Sequence, residues 1–290
     1  MTFALRLARV PLTVLALGLI FAAIAPAAMA TYQPFQLAPG IGPSVRFTTV
    51  NGIGTLTPFV PSIETQYQAP LPTVIAQATV RSLTLLVGVA IFSLFVGVLA
   101  GIGAALVRRR AVASGAVLGA TSVVAAIPSF FLAYFLQILF IFIGGAAGHT
   151  VLPVFGYGLD SHIVLPLLAL SAPAVAMTAQ LTAVRMGEVF DADFVTTANA
   201  KGLLPSWIIR VHVLPHVLPV SLEAVGSGLR VAVASLAIVE YILVWNGIGF
   251  VALQSIALRD PAGLTACAMV LATLFSLTSL LLDLRRSRIG

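Results

Sequence analysis

Apolar residues fall in long blocks along this chain, and the charges collect between them. A helix needs about 20 apolar residues to cross roughly 30 Å of hydrocarbon. Residues 10–30 carry no charge and form the first candidate span, and residues 82–107 form the second. Residues 111–148 are also uncharged but too long for one straight span. The third helix is placed at 116–143, with Gly144 and Gly145 marking its end. Residues 163–184 make the fourth and 261–282 the sixth. The fifth, 221–244, carries Glu223, Arg230 and Glu240. Charges are costly in lipid, so these three are expected to face protein, a water-filled path or a seam between subunits, or to lie near helix ends.

Composition agrees with this pattern. Of 290 residues, 60% are hydrophobic and 8% are charged, against roughly 25% charged in a soluble domain. The expected class is an all-α integral membrane protein with about six transmembrane helices. The net charge is +6, and Lys201 is the only lysine among fifteen basic residues. The arginines sit at the ends of apolar blocks and form no basic face with interleaved aromatics, which argues against nucleic acid as a partner and for orientation in a bilayer. The single cysteine, Cys267, can form neither an intramolecular disulfide nor a cysteine-based metal site.

Charge asymmetry sets the expected topology. Arg6, Arg9, Arg108, Arg109, Arg110, Arg185, Lys201, Arg210, Arg285, Arg286 and Arg288 fall on one side; Arg46, Arg81 and Arg259 fall on the other. The positive-inside rule makes the first side cytoplasmic, with both termini inside. The chain then divides into a first transmembrane helix (1–30), an external loop (31–80), a core of helices 2–6 (81–284) with a cytoplasmic loop at 188–216, and a basic cytoplasmic tail (285–290). Ala28-Met29-Ala30 resembles a signal cleavage site, but the apolar run before it is long for a signal and is read as an anchor. The external loop, rich in Pro, Gly, Thr and Gln, is expected to be extended, with one short helix before Ser82.

The most telling stretch is residues 192–219, ADFVTTANAKGLLPSWIIRVHVLPHVLP. Asp193 to Ala200 fits a short amphipathic helix. Gly202 fits a closing residue with positive φ. Small Ala198 and Ala200 would let a partner surface approach closely, and Pro205 and Pro215 would stiffen the return to the membrane. The plainer alternative is an interfacial helix with no partner. His212 and His216 have a spacing that can chelate metal on a helix. Pro215 lies between them and no carboxylate is adjacent, so two interfacial histidines are the preferred reading. Lys201 is flanked by Ala200 and Gly202, which rules out the Gly-Lys-Ser/Thr phosphate loop. No cofactor is expected in this chain; any ATP would belong to another subunit.

Thr197-Ala198-Asn199-Ala200-Lys201-Gly202, followed by Val213-Leu214-Pro215, resembles the coupling ("EAA") loop of bacterial binding-protein-dependent ABC import permeases. Ala198 matches its second alanine, Gly202 its glycine and Leu214-Pro215 its Leu-Pro. Thr196 stands at the Glu position, a departure similar to the dipeptide/oligopeptide/nickel branch, which residues 193–203, including Leu203, follow closely. Glu240-Tyr241, Trp245-Asn246-Gly247-Ile248-Gly249, Arg259-Asp260 and Ala126-Ile127-Pro128-Ser129-Phe130 resemble further segments of that branch. Asn246 replaces a proline, the first span reads Ala25-Pro26-Ala27-Ala28 where that branch usually has P-G-D-P, and the C-terminal ending is shortened to residues 285–290.

The resemblance implies a type I ABC importer permease in the bacterial plasma membrane. It implies that Asp193, Thr197, Ala198, Ala200, Lys201, Gly202, Leu203, Leu214 and Pro215 form the ATPase-coupling loop. The implied partners are a second homologous permease, two ATPase subunits that bind ATP and Mg, and an external solute-binding protein. The rival is an ion-gradient-driven secondary transporter, which would show midspan carboxylates in broken helices and inverted repeats. No repeat is visible.

Overall fold

The computed structural model describes residues 62–107 and 111–289, and before them parts of 14–26 together with 45–50 and 53–58. In chain order the elements are α1 (Val14–Ile24), β1 (Val45–Val50), β2 (Ile53–Pro58), α2 (Ile63–Tyr67), α3 (Leu71–Leu106) and α4 (Ala111–Ala126). They continue with α5 (Ser129–Ala147), α6 (Val164–Phe190), α7 (Asp193–Ala200), α8 (Pro205–Ile242), α9 (Ile248–Leu258) and α10 (Pro261–Ile289). Among the described residues, five helical stretches are long and apolar enough to cross a membrane: 71–106, 129–147, 161–190, 205–242 and 261–279. Of the expected first span only the α1 stretch is described; there Gly18 packs directly against Met269 of α10. The rest of that span, with Ala28-Met29-Ala30, lies outside the described residues, as does the Arg108–Arg110 cluster.

Several boundaries differ from expectation, each for a local reason. The second helix starts at Leu71, not at 82, with Pro72 in its first turn, where a missing N–H costs nothing. Arg81, expected just ahead of this helix on the outer side, therefore sits inside it. The third helix is two pieces, because Pro128 adopts an extended conformation as the N-cap of α5 and cannot donate to the preceding turn. The fifth begins at Pro205, sixteen residues before 221, and passes through Pro215 and Pro219. The final helix runs on to Ile289, so residues 285–289 continue it. The outer segment holds an antiparallel hairpin pairing Val50 with Ile53. That leaves Asn51-Gly52 between the strands, the residue pair most favoured in two-residue hairpin loops.

Helix α6 lies against α3, α4, α5 and α8. Its seams are built on small residues, as expected where lipid supplies no hydrophobic drive and backbones must come close. Gly97 and Gly101 of α3 face Thr178 and Thr182 of α6, and Gly228 of α8 faces Ala174; a Cβ at any of the three would collide. Thr182 and Ser221 share a buried hydrogen bond of 2.7 Å between α6 and α8. α3 contains a π-helical turn at Ser93–Gly97, just where the glycine seam begins.

Among the described residues two hydrophobic cores result. The larger joins α3, α6, α8, α9 and α10 around Leu85, Leu170, Leu236 and Trp245. The smaller gathers Ala105, Met186, Val195, Ala198, Ile208 and Val213 beneath α7.

Candidate functional site

The smaller core positions the predicted coupling segment. α7 follows α6 after two residues, starts without a side-chain cap, and carries Asp193 in its first turn, where a negative charge suits the helix dipole. Thr197 Oγ1 donates to the Asp193 carbonyl at 2.9 Å. The helix closes at Gly202, φ +74°. There Gly202 N–H donates to Asn199 O (2.9 Å) and Leu203 N–H to Ala198 O (3.3 Å), the paired bonds of a Schellman cap. No atom lies near a Cβ built on Gly202, so backbone conformation alone demands glycine here.

The two faces of α7 differ. Val195 and Ala198 are buried against Met186, Val189, Ile208, Val213 and Val217 of the same chain. The expectation that Ala198 meets a partner is corrected: its small side chain seats α7 on α6 and α8. The free surface comprises Asp193, Thr197, Ala200, Lys201, Gly202 and Leu203, with Phe194 exposed and set against the His216 ring, centroids 5.4 Å apart. Leu214 is half-buried and Pro215 exposed, both in α8 rather than in a loop. Of residues 188–216 only 191–192 and 201–204 are non-helical. A cleft of ≈ 360 Å³ opens beside α7 between Leu106, Phe190, Asn199, Pro205 and Ile209. No cluster of three metal-ligating side chains occurs among the described residues.

The three charges expected within the fifth span separate. Glu240 is completely buried. Its Oε1 accepts from Ser82 Oγ at 2.5 Å, and its Oε2 accepts from the N–H groups of Gly249 (2.8 Å) and Phe250 (3.2 Å). It lies inside the subunit two residues before the end of α8, clasping the start of α9: of the expected positions it takes the protein-facing one near a helix end, not the path or seam. Glu223 and Arg230 are half-buried. Arg230 Nη2 donates to Ser227 Oγ at 3.3 Å.

At the end opposite α7, a cluster forms that sequence reasoning missed. Arg81 stacks over the Tyr157 ring, 4.6 Å to its centroid, and donates to the Asn246 carbonyl at 3.3 Å. Tyr157 meets the buried Trp245 edge-on at 4.9 Å, and Trp245 Nε1 donates to the Arg81 carbonyl at 3.2 Å. The 245–249 motif was visible in sequence, but its partners Arg81 and Ser82 are over 150 residues away in α3, and Tyr157 is 88 residues away. Asn246 adopts φ 51°, a conformation its side chain tolerates. Asp260 accepts from Gly263 N–H (3.0 Å) and from Ile63 N–H (2.9 Å), joining α2 to the start of α10. Tyr67 donates to Gln254 Oε1 at 3.1 Å, and burial raises its phenol above the usual range.

Apolar helices long enough to cross a bilayer, with a short helix seated across their ends, define a multi-pass membrane protein. The chain belongs to the family of binding-protein-dependent transport system inner membrane components, whose model matches residues 97–289. It is 32% identical over 123 residues to the di/tripeptide transport system permease protein DppB of Pseudomonas aeruginosa, covering 42% of this chain and 37% of that one. The dipeptide permease DppB of Alkalihalophilus pseudofirmus is 34% identical over 128 residues, 44% and 38% respectively. The glutathione transport system permease protein GsiC of Shigella flexneri is 27% identical over 215 residues, 74% and 68%. The match thus spans less than two fifths of the first two relatives.

Proposed function

We propose that this chain is the permease subunit of an ATP-driven importer and forms half of a translocation path for short peptides. It lies in a bacterial plasma membrane with both termini and α7 in the cytoplasm, as the arginine asymmetry favours. Its partners are a second, related permease, two ATPase subunits that bind ATP and Mg, and an external solute-binding protein. The subunit itself catalyses no reaction.

One observation carries the reading. α7 is fixed to its own α6 and α8 through Val195 and Ala198, while its opposite face is free. A force applied to that free face by an ATPase is passed to α8 as a rigid displacement, because a packed core does not deform continuously. ATP binding draws the two coupling helices together and opens the path outward; hydrolysis returns it. The peptide class is supported by the relatives' names. Family membership sets aside the ion-gradient transporter.

The test is reconstitution with the partner permease, ATPases and binding protein in proteoliposomes. Peptide uptake should require ATP and the binding protein. Uptake driven by an ion gradient without ATP overturns the reading.

A further inference from the structure

Arg230 lies on α8 twelve residues before its end at Ile242, about 18 Å by helical rise. That depth is near the middle of roughly 30 Å of hydrocarbon. Gly228, Ala232 and Leu236 mark the buried side of α8, with Gly228 against Ala174 of α6. Arg230 is two residues from Gly228, about 200° round the helix, and points away from α6. Ser227, Ala234, Ile238 and Tyr241 share this outward side, and none of them is buried.

A guanidinium offers five donors. Among the described residues Arg230 uses one, on the neutral Ser227 hydroxyl at 3.3 Å. A cation at this depth does not face lipid, so it faces a water-filled path or an anion. Toward the Trp245 end the same side runs Ala234, Ile238, then Tyr241, whose ring lies 5.8 Å from that of Phe250. The cation thus sits at the base of a small, then apolar, then aromatic strip. That arrangement suits a ligand with one terminal carboxylate and an uncharged body. A permanent ion pair with a partner subunit would gain little over apolar packing, whereas a free planar fork binds an arriving carboxylate bidentately.

We propose that Arg230 is a substrate-binding residue of the path and receives the C-terminal carboxylate of the transported peptide. This rests on the importer reading above and names the recognition chemistry of its path.

The test uses the reconstituted complex with wild type, Arg230→Lys and Arg230→Gln, and measures uptake of trialanine and trialanine amide. The same binding protein serves every arm, so its own preference cancels in the change of the uptake ratio. Arg230→Gln should lower trialanine uptake about tenfold, the scale of one charge-assisted contact, and leave amide uptake unchanged or raised. Arg230→Lys should keep more trialanine uptake than Arg230→Gln. Equal losses for both peptides would assign Arg230 to a subunit seam or a partner's carboxylate and overturn the proposal, as would unchanged uptake of both. Absence of wild-type uptake of either peptide also overturns it. In that case, ATP hydrolysis still stimulated by the binding protein would leave the importer reading standing.

Discussion

Ser82 and Glu240, 158 positions apart, share a buried hydrogen bond of 2.5 Å and hold the start of α9 between them. Ser82 Oγ also accepts from Ile248 N–H at 2.8 Å, while Glu240 takes the next two N–H groups. Three otherwise orphaned helix N–H donors are thereby satisfied where water is scarce. A Cβ on Gly247 would collide with both side chains.

Glu240→Ala removes the acceptor for two buried N–H groups and one hydroxyl. It should destabilise the subunit by about 3 kcal/mol or more, since each buried orphan costs roughly 1–3 kcal/mol. Glu240→Gln keeps one oxygen for the backbone donors and should cost less. Thermal unfolding in detergent reads the order: wild type, then Gln, then Ala. Equal midpoints for Glu240→Ala and wild type would refute the clasp.

The glycine seam makes a prediction with an internal control. Gly101→Leu forces α3 away from Thr182 and the Ala179 carbonyl. Overpacking of this kind costs about 1–3 kcal/mol. Gly103 has open space around it, so Gly103→Leu should leave the unfolding midpoint close to that of wild type. Similar effects for the two variants would count against close packing as the reason for Gly101.

On α7, Ala198 and Ala200 should respond differently. Ala198→Glu places a carboxylate in the smaller core and should destabilise the subunit itself, whether or not partners are present. Ala200→Glu alters only exposed surface, so the folded subunit should survive while ATPase co-purification falls several-fold. Gly202→Val should also weaken coupling, because left-handed backbone costs a side-chain-bearing residue roughly 1–2 kcal/mol; Gly202→Asn should be milder. Full ATPase recovery with Ala200→Glu and normal uptake would remove the docking role from this face.

Topology is open to direct labelling. Ser206 and Thr150 are exposed at opposite ends of the helices. In a Cys267→Ala background, Thr150→Cys should react with a membrane-impermeant thiol reagent in intact cells. Ser206→Cys should react only after lysis. The reverse pattern would invert the assigned orientation.

The sequence by itself determined the membrane class, most of the spans and the α7 turn. Each follows from local physics: apolar length against bilayer thickness, and one glycine able to take positive φ. It also held the Asn51-Gly52 signal for the hairpin, which lies within a stretch read as extended loop. Tertiary structure decided what the neighbouring segments do to these elements. Pro205 and Pro215 read as stiffeners of a loop, yet they lie within α8 itself, because Ile208, Val213 and Val217 are held by the core under α7. Ala198 read as a docking residue, and packing turned it inward. Glu223, Arg230 and Glu240 were indistinguishable as charges on one apolar helix. Only the fold could separate them, because Ser82 and the start of α9 reach Glu240 alone, whereas Arg230 is half-buried on the side of α8 turned from α6.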